Sequence, residues 1–223
     1  MSMKSEMPPE LIRVSDAWAE RLEGLTDPHR IAFMQKALIQ FLANQDFFRK
    51  LLQNIATGAP YPDTRRTTLF PNEIVLYLHD RRSLSLRMLL SETGSYTPIH
   101  DHNAWGVITP MVGELDIIGY ERLNPRSGNQ FSGLRQTLHK TLYPGETAQV
   151  LPLEKGIHQT GNSGQGPLVM ISVYGKPVRR PYVLGYDLDR NRVYRIYTPR
   201  TRKRMLAKEA LEHLSTNPAP ANR

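Results

Sequence analysis

Cysteine is absent from all 223 residues, which excludes disulfides, thiolate nucleophiles and thiolate-held zinc. A metal in this chain would have to be held by imidazole and oxygen. No apolar run comes near the roughly 20 residues that a membrane span needs. The opening stretch from Met1 to Met7 lacks the apolar core of an export signal, so a cytoplasmic setting is expected. With 39% hydrophobic and 22% charged residues the composition is that of an ordinary soluble protein, and the length suits one domain with extensions. The 17 prolines and 15 glycines favour many turns and short strands.

The net charge of +8 raises the question of a polyanionic partner. Much of the excess sits in Arg200, Arg202, Lys203 and Arg204, where a helix is expected to open, with Arg179 and Arg180 as a second pair. This distribution reads as a solvated basic face, and nucleic acid is not expected as a partner. The oligomeric state stays open.

The first sixty residues carry helical periodicity. Leu11, Val14, Trp18 and Leu22 recur at three-to-four spacing, as do Ile31, Met34, Leu38, Phe41 and Leu42. Asp27-Pro28 reads as a helix start with the Asp27 carboxylate capping free amides. Phe48, Leu51, Leu52 and Ile55 continue as a short third helix that Gly58, Pro60 and Pro62 end. From residue 70 to 197 short β-rich runs alternate with turn residues, among them 74–78, 84–90, 106–111, 115–120, 149–151, 168–174 and 193–197. Thr198-Pro199 then opens a last helix with Leu206, Ala210 and Leu214 on one face, and the tail after Ser215 reads as disordered. The expected organisation is a helical extension over 1–69, a mainly β barrel over 70–197, and a C-terminal helix with tail over 198–223.

His100 and His102 are two residues apart, so a strand would aim both imidazoles to one face. His158 lies between turn residues on a later strand and can meet them across a small barrel, completing three nitrogen ligands. His79, His139 and His213 read as surface histidines, and His29 as a helix residue beside Pro28.

The flanking residues carry a resemblance. Five residues separate Gly94 from His100, His102 follows, and position 106 and Gly113 fall where the first cupin motif places its glutamate and last glycine. Pro144-Gly145, Pro152, Gly156, His158 and Asn162 resemble the second motif with slightly altered spacing. The resemblance implies a double-stranded β-helix. Gly106 replaces the usual glutamate ligand, and His100-Asp101-His102 followed by Trp105-Gly106 resembles the cysteine dioxygenase family and its mercaptopropionate-oxidising bacterial relatives.

That likeness implies a ferrous iron on His100, His102 and His158, with nickel, zinc or manganese as other occupants, and oxidation of a small thiol to a sulfinate by dioxygen. Tyr174 matches the tyrosine of the family's Ser-x-His-x-Tyr triad, while Met170 and Ser172 replace its serine and histidine. Ser172 is then the nearby partner for Tyr174. A thiol acid would need an arginine for its carboxylate, and Arg179, Arg180 or Arg87 are the candidates, with Trp105 beside the substrate. Two alternatives stay open: a metal-dependent cupin enzyme on a non-thiol substrate, and a metal-holding cupin that binds without turnover.

Overall fold

The computed structural model describes residues 7–81, 83–123 and 133–216. The tail beyond Thr216, and most of the stretch read for an export signal, lie outside the described residues. Three helices come first: α1 (Pro9–Arg21), α2 (Asp27–Leu42) and α3 (Gln45–Thr57). Their periodic apolar residues pack on one another, with Trp18 and Phe48 meeting Phe41 edge-on at centroid distances of 5.4 and 5.3 Å. The start of α2 differs from expectation. Thr26 precedes the helix, and the Asp27 carboxylate accepts from Arg30 at 2.8 Å, a partner one turn on, instead of capping free amides. Helix α3 is capped as its sequence suggests, by Asn44 accepting from the Phe47 amide at 3.2 Å and by Gly58 at a φ of 71°.

The strands are β1 (Glu73–Leu78), β2 (Leu84–Ser91), β3 (Ile99–His102), β4 (Gly106–Val112), β5 (Leu115–Arg122), β6 (Leu134–Leu142), β7 (Ala148–Val150), β8 (Leu153–Gly161), β9 (Leu168–Gly175), β10 (Tyr182–Asp187) and β11 (Arg192–Tyr197). Their pairing is nested: β5 with β6, β4 with β7, β3 with β8 and β2 with β9, all antiparallel. The chain is thus one long hairpin wound on itself. Winding distributes it over two sheets, ordered β1-β2-β9-β4-β7 and β11-β10-β3-β8-β5-β6. That arrangement is a double-stranded β-helix, the mainly β fold expected from the sequence.

Strand alternation sorts the two faces of the first sheet. Leu84, Leu86 and Met88 of β2 and Val169, Ile171 and Val173 of β9 join the helices in one hydrophobic cluster. Their neighbours Ser85, Arg87 and Leu89, and Met170, Ser172 and Tyr174, therefore face the barrel interior. Inside, Ile108, Leu115, Ile117, Leu142, Leu168 and Met170 form a second hydrophobic cluster.

Helix α4 (Pro199–Thr216) begins as expected, with Thr198 Oγ1 accepting from the Thr201 amide at 3.3 Å. Two residues of the expected apolar face are exposed, however, and the side chain of the third, Leu214, lies outside the described residues. Leu206 is 46% exposed and Ala210 is exposed, because the helix touches the barrel mainly at β11 and carries basic residues around its first turns. Among the described residues no helix is long and apolar enough to cross a membrane.

Candidate metal centre

His100 and His102 lie on β3 and His158 on β8, neighbours in the six-stranded sheet, with His100 and His158 directly paired. A register irregularity follows His100, so His102 pairs with Leu153. Gly156 makes this possible: a Cβ there would lie 1.8 Å from the Leu151 carbonyl oxygen, so only glycine allows the β7–β8 connection to fold back so closely. The two motifs are also tied through the backbone. The Gly94 amide donates to the Asn162 carbonyl at 2.8 Å, and the Asn162 amide donates to the Ser95 carbonyl at 3.0 Å. The fully buried Asn162 side chain bonds the Ser91 and Gly166 carbonyls, so this motif residue is an anchor for the strand that carries His158.

One ring nitrogen from each histidine falls within 4.8 Å of the other two, and the three could hold a metal ion. The donor set fits one. His100 Nδ1 donates to the Pro98 carbonyl at 2.8 Å, which leaves Nε2 as the lone pair, and the Nε2 atoms of His102 and His158 face each other at 2.9 Å. Burial, the first cause for all three, lowers their pKa values, and the neighbouring imidazoles add to the effect on His102 and His158. Neutral imidazole is the ligand form.

This predicts a stability loss in mild acid for the metal-free protein. His158 is brought down to about 3, against 6.5 ordinarily, so between those values the unfolded state binds more protons. Stability is therefore expected to fall as the pH drops from 6.5 toward 3, by up to about 1.4 kcal/mol per pH unit from His158 alone. His100 and His102 act in the same direction. Urea unfolding of metal-free protein at pH 7 and pH 5 checks this, with His158→Gln expected to shrink the difference. Equal midpoints at the two pH values would reject it.

The centre opens into a cavity of about 360 Å³ lined by Phe70, Glu73, Arg87, His100, His102 and Tyr174 among others, and also by Arg180. Behind this lies a space of about 20 Å³, bounded by all three histidines, Glu73, Met170 and Tyr174, room for one water-sized body. The Tyr174 ring stacks on His102 at 5.4 Å and 16°. Its hydroxyl is pushed up to about 12, chiefly by burial and then by the charge of Glu73, with Arg87 and Ser172 opposing. Ser172 is buried beside it, near enough to act on the phenol directly.

The four other residues read as substrate-facing divide. Arg87 points into the cavity, 5.1 Å over the Tyr174 ring, and donates to Glu73 Oε1 at 3.1 Å. Arg180 lines the cavity, but its three nitrogens are taken, Nη1 and Nη2 by the Asp101 carboxylate and Nε by Asn103. Its role as a free carboxylate grip is corrected to that of a clamp on the strand carrying His100 and His102. Arg179 is exposed and does not line the cavity. Trp105 is 4% exposed and packs in the cluster shared with the helices, its indole against Gly175, so it is a core residue and not a substrate wall. Glu73 was not foreseen as part of the site. Among the histidines read as superficial, His139 lies 3.6 Å from the buried Asp116, and His79 bonds Ser83 at 2.7 Å.

No protein-family model and no curated protein matches the chain. Solved structures are similar to part of it. A cupin 2 domain-containing protein from Halorhodospira halophila is 17% identical over 56% of this chain and 75% of its own, with a TM-score of 0.39. A conserved double-stranded β-helix protein from Klebsiella pneumoniae is 17% identical over 52% and 82%, with a TM-score of 0.35. The DMSP lyase DddQ from Ruegeria pomeroyi is 16% identical over 44% and 41%, with a TM-score of 0.32. The fold rests on this chain's own strand order and register, which make it a cupin-type double-stranded β-helix with three histidines able to hold a metal at its open end.

Proposed function

We propose that the chain is a mononuclear non-haem iron dioxygenase that oxidises a small thiol to its sulfinate, RSH + O₂ → RSO₂H, both oxygen atoms ending on sulfur. The observation that carries this reading is the convergence of three neutral imidazoles, with no carboxylate in the ligand group, at the inner end of an open cavity. A three-nitrogen face leaves coordination positions free for two small reactants. Bound iron would supply the one-electron chemistry that brings dioxygen and a thiolate together. The family likeness of the His-Asp-His strand adds support for iron and a thiol.

The chain's own residues do the positioning. Burial keeps the imidazoles neutral at neutral pH, and the barrel walls Ile108, Leu89 and Met170 keep the inner space free of other polar groups on that side. Tyr174 keeps its proton, so its hydroxyl is a donor beside the reacting atoms. Tyr174→Phe is expected to lower turnover about 10²-fold while leaving iron content unchanged. Oxygen uptake by iron-loaded protein with a panel of small thiols, with mass detection of the sulfinate, tests both statements. Iron-loaded protein that consumes no oxygen with any of them would reject the thiol reading. Ser172 standing where the family has histidine favours a second reading, a metal-dependent cupin enzyme acting on a non-thiol substrate.

A further inference from the structure

Glu73, the first residue of β1, is 8% exposed at its side chain. Its two oxygens differ. Oε1 accepts from Arg87 at 3.1 Å, whereas Oε2 is buried and has no hydrogen-bond partner. A buried carboxylate oxygen is rarely left without a partner, and one that borders a cavity can accept from a molecule bound there. Glu73 does border one: it lines both the outer cavity and the small inner space that all three histidines share.

The charges of Arg87 and Arg180 are felt at His102, but neither guanidinium is free to hold a ligand. Arg87 and Arg180 line the outer cavity and are absent from the walls of the inner one. Arg180 is saturated by Asp101 and Asn103, and Arg87 is turned to Glu73, to Ser85 at 3.3 Å and to the Tyr174 ring. Beside the histidines the wall therefore offers an acidic acceptor without a partner, while the two nearby cations are already engaged. The barrel cannot deliver that carboxylate from β4 instead. A Cβ at Gly106 would lie 2.5 Å from the Tyr174 ring, which occupies the space a larger residue would need.

We propose that Glu73 is a recognition residue for the ligand of the three-histidine centre, its Oε2 accepting a hydrogen bond from an ammonium or hydroxyl group on that ligand. The site then takes a small amino- or hydroxy-bearing thiol in preference to a thiol carboxylate, which replaces the arginine grip expected from the sequence. The choice of thiols as ligands rests on the function proposed above. The role of Glu73 does not depend on turnover.

Cobalt(II)-loaded protein kept free of oxygen gives a binding readout through its visible bands. The probes are cysteamine, 2-mercaptoethanol, 3-mercaptopropionate and azide, with wild type, Glu73→Gln and Glu73→Asp compared at measured cobalt stoichiometry. A hydrogen bond to a charged group corresponds to about 10- to 100-fold in affinity, so wild type is expected to favour cysteamine and 2-mercaptoethanol over 3-mercaptopropionate by about that factor. Glu73→Gln should lose that factor for cysteamine and gain affinity for azide and 3-mercaptopropionate, while Glu73→Asp keeps the wild-type order. A structural role alone would not move cation and anion in opposite directions. Tightest wild-type binding of 3-mercaptopropionate, or unchanged cysteamine and azide affinities in Glu73→Gln, overturns the proposal. Failure of all three thiols to bind while azide binds rejects the thiol reading, and unchanged azide affinity in Glu73→Gln then overturns the role of Glu73 as well.

Discussion

Alanine at His100, His102 or His158 is expected to weaken divalent-metal binding by roughly 10²- to 10³-fold each. Closed protein sites for zinc contribute about 10–16 kcal/mol over their ligands, so one imidazole of three is worth several kcal/mol. The geometry makes the three equivalent in this respect. Each supplies one nitrogen to a group no wider than 4.8 Å, and among the described residues no further histidine or acid joins that group. Competition against a chromophoric chelator measures the affinities, and metal content after purification gives a second check. The His102→Ala variant is especially informative, since it also removes the partner that His158 Nε2 meets at 2.9 Å. Wild-type affinity in all three variants would remove these residues from any metal site.

The grouping of the three histidines was legible because the information is local. Two histidines at i and i+2 share a face of any strand, and His158 stands well inside β8, directly paired with His100. The helices were legible for the same reason, since periodicity and caps act within a few residues. The strands β6 and β10 were not among those read. The burial along β6 is almost wholly exposed, with only Leu142 buried, so no alternating apolar pattern marks it. In β10 the run Tyr182–Asp187 contains Gly185, which packs against the Tyr194 ring, and the strand's place beside β3 is set by pairing with residues far off in the chain.

The rest of the site depends on contacts between distant residues. Glu73 stands one position before the apolar run 74–78 and so outside the strand as read. Its place in the sheet comes from pairing with Leu89, whose own face is set by the helices packing on Leu86 and Met88. Trp105 was misplaced by proximity in sequence to His102, because the chain turns between β3 and β4 and sends the indole out toward the helices. Leu206 and Ala210 show the limit of periodicity: a helical stripe is a capacity to pack, and at these two positions it is not used. The exposed basic residues of α4 agree with the solvated face read from charge alone.

Arg180→Ala is expected to lower the unfolding free energy by roughly 3–5 kcal/mol, the cost of leaving a buried charge without its partner. Asp101 sits between His100 and His102 on β3, is fully buried, and turns away from them to receive Arg180 through two bonds of 2.9 and 2.7 Å and the Leu184 amide at 2.7 Å. Asn103 on the far side bonds the Arg180 and Tyr182 carbonyls, so the segment from 180 to 184 is fastened to the ligand strand at both ends. In urea the loss corresponds to a midpoint shift of about 1–3 M. Arg180→Lys should recover only part of it, because an ammonium cannot make both parallel bonds. Adding Asp101→Asn to Arg180→Ala should be less harmful than the single change, since the stranded charge is then gone. Metal affinity should fall with stability in Arg180→Ala, as His100 and His102 lose the clamp between them. An Arg180→Ala protein as stable and as tight for metal as wild type, and altered only in the KM for a carboxylate substrate, would return Arg180 to the substrate grip first read from the sequence.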